Sequence, residues 1–177
     1  MMKIGCLAWG SLIWKPGDLQ LAGQWHADGP ALPVEFCRVA DGGELSTAIC
    51  LGANCVDVLW ARLATSSLEE ACTQLAEREA IPAGRHDGVG TLLVHEDDGV
   101  DGLNRWALRQ GLDAVIWTAL PPRYLNIESR IPTAVQAITY LDGLEAETRA
   151  HARDYIQQVP AQIATGYRPL FADKLGW

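Results

Sequence analysis

The sequence predicts an α+β domain, and three features carry that expectation. Segments with strand character crowd the first two thirds of the chain, helical periodicity takes over from Thr133, and one amphipathic helix is inserted after the fourth strand-like segment. Strands gathered first and helices late fit one antiparallel or mixed sheet with helices around it. A chain of 177 residues, 49% hydrophobic, is the size of one domain with a sizeable core, so residues 1–177 are expected to form a single domain.

The first strand runs from Lys3 through Ile4, Cys6, Leu7 and Ala8, and breaks at "WGSL" into a loop carrying Trp14, Lys15, Pro16 and Gly17. Two apolar runs between Ala31 and Ala53 are joined by Asp41-Gly42-Gly43-Glu44, whose glycines can take the positive φ angles of a tight connection, which predicts a β-hairpin. The stretch 56–64 alternates, with Val56, Val58, Trp60 and Arg62 on one side and Leu59, Ala61 and Leu63 on the other, and predicts a further strand. Hydroxyls at Thr65, Ser66 and Ser67, followed by Glu69 and Glu70, then mark the start of a helix over about 67–80 that stops before Pro82. Beyond it, 89–96 reads as a strand, 105–111 as a short helix or ribbon, and 114–120 as a fully apolar strand. Two helices follow, 133–143 ending at a glycine cap and 144–159 ending at Pro160.

Composition narrows the function. The formal net charge is −8, with 14 Lys plus Arg against 22 Asp plus Glu and no basic cluster, so neither nucleic acid nor an anionic membrane surface is an expected partner. Apolar runs such as Asp113 to Pro122 are half of what a bilayer crossing needs. The five cysteines, Cys6, Cys37, Cys50, Cys55 and Cys72, are odd in number and scattered, which fits reduced thiols in a cytoplasm. Only "CLGANC" comes near metal-ligand spacing, and no metal or organic cofactor is expected.

One residue stands out on the helical wheel. Leu68, Ala71, Cys72, Leu75 and Ala76 form an apolar stripe, and Glu79 falls about 20° from Leu68 at about 100° per residue, on the same face. Glu77 lies on the opposite face, where a carboxylate is solvated. The partial negative charge of a helix C-terminus disfavours a second negative charge there, and a carboxylic acid that holds its proton suits acid/base work near neutral pH. A plain ion pair of Glu79 with Arg78, Arg85 or Arg62 is the alternative.

The turn Trp9-Gly10-Ser11-Leu12 and the segment "LAEREAI" that carries Glu79 resemble the γ-glutamylcyclotransferase-like family, with "GSLIWKP" most similar to its glutathione-acting branch. The resemblance implies a barrel-like, mostly antiparallel sheet with surrounding helices. It also implies that Trp9, Gly10, Ser11 and Leu12 bind a small-molecule γ-glutamyl substrate and that Glu79 is the catalytic acid/base. The family's usual aromatic in the turn is Tyr; Trp9 keeps the ring without the hydroxyl. The chemistry needs no Ser-His-Asp set, since a γ-glutamyl amide carries its own nucleophile, the α-amine, and its own electrophile, the γ-carbonyl. Two other readings stay open, a non-catalytic binding module that retained the pocket and a cysteine-dependent amide hydrolase or transferase. Ser11 lacks the G-x-S-x-G elbow of a serine nucleophile. His151 reads as a half-buried packing residue, Trp9 and Trp14 as rim residues, and Tyr167 as a residue able to close over a site.

Overall fold

A computed structural model describes residues 1–177 and shows an α+β fold of five helices and nine strands in two mixed sheets, one of them curled into a half-barrel. The first strands are β1 (Ile4–Ala8), β2 (Ala31–Val39), β3 (Leu45–Ile49), β4 (Cys55–Asp57) and β5 (Leu59–Arg62). Helix α1 (Leu68–Arg78), strand β6 (Val89–Leu93), helix α2 (Leu103–Arg109) and strand β7 (Ala114–Thr118) follow. The chain ends with β8 (Arg123–Tyr124), β9 (Ile127–Glu128), α3 (Ala134–Asp142), α4 (Ala146–Gln158) and α5 (Arg168–Leu175). No helix is long and apolar enough to cross a membrane.

The chain gathers into two compact units, one formed by Met1–Ala8, Leu12–Ala31 and Asp57–Leu120, the other by Trp9–Ser11, Leu32–Val56 and Pro121–Trp177. The first unit holds the sheet β5-β1-β7-β6, in which β1 runs parallel to β7 and antiparallel to β5. Every residue of β1 is buried, which is why its apolar run does not alternate. Leu75 and Ala71 of α1 pack on this sheet in one cluster with Ile4, Cys6, Leu63 and Ile116. Backbone bonds from Ala22 to Arg62 and between His26 and Trp60 cover the outer side of β5, which leaves that edge paired. Asp28 pins the same segment, accepting the Trp60 indole N–H at its carboxylate and the Trp106 indole N–H at its carbonyl.

The second unit holds the sheet β3-β2-β8-β9, with β4 also paired to β2. The expected hairpin is present: β2 and β3 are antiparallel, Ala40 and Glu44 close the turn, and Gly43 takes φ 89°. The capping signals also hold. Thr133 and Gln136 form a full capping box on α3, Gly143 caps its end, and α4 stops before Pro160.

Two features differ from the sequence reading, and the helix-or-ribbon alternative at 105–111 is decided for the helix, which starts at Leu103. The strands divide between two sheets where one was expected, because the stretch 56–64 is interrupted at Val58, whose N–H goes to Pro30 O; β4 before the break pairs with β2 and β5 after it with β1. The strands β8 and β9, two residues each, and helix α5 have no periodicity long enough to announce them.

Candidate functional site

Helix α1 begins at Ser67, whose hydroxyl accepts the Glu70 N–H, and its apolar stripe faces the sheet of the first unit as the wheel requires. It ends sooner than Ala80. Ala80 turns left-handed at φ 53°, its N–H bonds Glu77 O, and the Ile81 N–H reaches back to Ala76 O. These two bonds make a Schellman closure with alanine where glycine is usual. Glu79 is the cap residue of this closure, so its backbone is held on both sides.

The Glu79 side chain is 18% exposed, while Glu77 lies in solvent. One carboxylate oxygen, Oε1, accepts a hydrogen bond from Thr118 Oγ1 at 3.1 Å, and Oε2 lies 3.6 Å from Arg78 Nη1. Arg78 in turn donates through Nε to Lys15 O at 2.8 Å, tying the loop after the first strand to the end of α1. Burial, then the negative charge of Glu79 and then Cys72, hold the Cys6 thiol far above its ordinary range. Burial pushes the Cys72 thiol up as well. Both shifts disfavour a thiolate at Cys6 and Cys72.

The turn residues separate in an unexpected way. Trp9, Gly10 and Ser11 belong to the second unit, Leu12 and Glu79 to the first. Leu12 is buried in the cluster on which Leu75 and Cys6 pack. Trp9 is 5% exposed, which corrects its expected place at a rim, and Trp14 is half-buried. Ser11 is half-buried too. Gly10 has a packing reason for being glycine, because a Cβ there would lie 2.5 Å from both Thr47 Oγ1 and Tyr155 OH. Those two hydroxyls are 3.1 Å apart; Thr47 Oγ1 also donates to Trp9 O at 3.0 Å, and the Thr47 N–H donates to Tyr155 OH at 3.1 Å.

Among the other residues singled out, His151 is exposed and lies 2.9 Å from a Glu44 oxygen, not half-buried against its helix. The Tyr167 hydroxyl donates to Pro132 O and its N–H to Glu35, so Tyr167 is tied into the second unit. The loop after α1 also carries a histidine, His86, which is exposed beside an Arg85–Asp87 pair. The second unit also contains an open cavity of about 510 Å³, where Arg149, Arg153 and Asp154 of α4 face Leu175 and Trp177; it contains none of the residues selected from the sequence. No group of three or more His, Cys, Asp or Glu side chains is arranged to hold a metal ion.

Thr118, Thr47 and Tyr155 escaped the sequence reading, though each left a trace. Thr118 is the one hydroxyl in an otherwise apolar strand, and Tyr155 lies on the buried stripe of α4 with Ala152, Ile156 and Val159, where its hydroxyl needs a partner. No family model, curated protein or solved structure matches the chain.

Proposed function

We propose that the protein is a γ-glutamyl cyclotransferase that releases 5-oxoproline and a free amine from a γ-glutamyl amine or peptide, with Glu79 as its acid/base. The observation that carries this reading is the state of Glu79: a largely covered carboxylate at the end of an apolar helix face, hydrogen-bonded by a neutral hydroxyl and with its nearest guanidinium 3.6 Å away. At that separation Arg78 and Glu79 form a loose ion pair, longer than a charge-assisted hydrogen bond.

In the proposed reaction Glu79 takes a proton from the substrate α-ammonium. The freed amine attacks the γ-carbonyl carbon and closes a five-membered ring, the proton held on Glu79 passes to the leaving nitrogen as the original amide bond breaks, and the second proton shed by the ring nitrogen goes to the released amine, which departs as an ammonium ion. One bond to nitrogen forms, one breaks, and the carboxylate returns to its starting state. By its resemblance, the Trp9–Leu12 turn is assigned to the substrate's glutamyl end. The free state of all five cysteines supports a reducing compartment such as the cytoplasm.

The test is incubation with glutathione and a panel of γ-glutamyl amides, followed by mass spectrometry for 5-oxoproline. Turnover by wild type should fall by about two to four orders of magnitude in Glu79→Gln, the span of general acid/base catalysis, since glutamine keeps the shape and exchanges no proton. Glu77→Gln, on the solvated face, should leave turnover unchanged. Equal turnover in wild type and Glu79→Gln would withdraw the assignment, and γ-glutamyl ligands that raise the melting temperature without any 5-oxoproline would favour a binding module.

A further inference from the structure

The two oxygens of the Glu79 carboxylate have different neighbours. Oε2 faces the Arg78 guanidinium, a group that can only donate and therefore offers no acceptor for a proton carried on Oε2. Oε1 faces the Thr118 hydroxyl, which donates to a carboxylate and, by rotating, accepts from a carboxylic acid. The thiols of Cys6 and Cys72, in the apolar cluster between α1 and the sheet, are weak in both roles. Thr118 is also well placed to hold a fixed position. It closes β7, and its backbone is in register with Val89 of β6, so the hydroxyl projects from a paired strand and not from a loop.

An acid/base that must be ionised at the start of a turnover and protonated midway keeps one orientation only if its partner can reverse roles. We infer that Thr118 is the positioning residue of Glu79, holding its carboxyl group in a single orientation through both halves of the proton cycle. The inference rests on the cyclotransferase reading above.

Two substitutions separate this role from simple packing. Thr118→Val keeps the branched shape and removes the hydroxyl, whereas Thr118→Ser keeps the hydroxyl and removes the methyl. With a γ-glutamyl substrate turned over by wild type, Thr118→Val should lower kcat about tenfold with KM changed by less than about twofold, the signature of an interaction that orients chemistry and not ground-state binding. Thr118→Ser should recover kcat to within about twofold of wild type. Melting curves establish that each variant is folded, and Thr118→Ala, which also lacks the hydroxyl, repeats the test if the valine variant is not. An active valine or alanine variant beside an impaired serine variant overturns the inference, because packing and not the hydroxyl then matters. So does wild-type kcat in Thr118→Val while Glu79→Gln is inactive, and in that case the cyclotransferase reading stands. If wild type itself releases no 5-oxoproline, the reading fails and the role of Thr118 falls with it.

Discussion

Gly10→Ala tests whether the Gly-Ser turn is held by packing. The new methyl carbon would lie 2.5 Å from two oxygens, Thr47 Oγ1 and Tyr155 OH, where a relaxed C···O contact is about 3.3 Å or longer. Neither oxygen is free to retreat. Tyr155 is 7% exposed, and the two hydroxyls bond each other, Trp9 O and the Thr47 N–H at 3.0 to 3.1 Å. Relief by movement stretches up to three hydrogen bonds, each with a net value of about 1 kcal/mol, and overpacking without movement costs about 1–3 kcal/mol. By either route the expected loss is about 1–3 kcal/mol. Urea unfolding of wild type, Gly10→Ala and a control, Gly23→Ala, gives the measurement, since a Cβ at Gly23 meets nothing within 4 Å. A second arm repeats Gly10→Ala in a Tyr155→Phe background, where the methyl meets one oxygen in place of two and the cost should shrink by about 1 kcal/mol. If Gly10→Ala is as stable as Gly23→Ala, or the two substitutions are additive, the packing account of Gly10 is wrong.

Burial pushes the Glu35 carboxyl above its ordinary range, against the opposing effect of hydrogen bonds from Thr165 and the Phe36, Tyr167 and Gly166 backbone. The native state then keeps this proton to higher pH than the unfolded chain does, so the stability Glu35 contributes is complete below the unfolded value, about 4.3, and is lost as pH rises through the folded value. The urea midpoint of wild type minus that of Glu35→Gln should accordingly fall with rising pH, and a difference that is flat from pH 4 to 8 would contradict it. Ala80 holds φ 53°, a conformation that costs a non-glycine residue about 1–2 kcal/mol, part of which is offset by the larger unfolded-state entropy of glycine. Ala80→Gly should therefore raise stability by about 0.5–1 kcal/mol by thermal melt, and a lower melting temperature would show that the left-handed turn is not strained.

Much of the local structure was legible because its causes lie within a few residues of one another. Ser67 and Thr133 cap helices through N–H groups three residues ahead, Gly43 bends a hairpin it belongs to, and Glu79 faces inward because of the helical repeat of its own segment. These are short-range effects of backbone geometry, and a single chain segment contains them whole. What the tertiary structure decided lies at long range. Thr118 reaches Glu79 across 39 residues, Thr47 reaches the Trp9 carbonyl across 38, and Tyr155 meets Thr47 across 108. The division of 56–64 between two sheets was likewise not local, because an alternating run satisfies either sheet and only the Pro30 carbonyl beside Val58 selects the break. Periodicity states which face of an element is buried, but it does not state what covers that face. The partner of the inward carboxylate and the reason for the glycine in the turn therefore belonged to the folded chain, where hydroxyls distant in sequence complete the hydrogen bonds that burial demands.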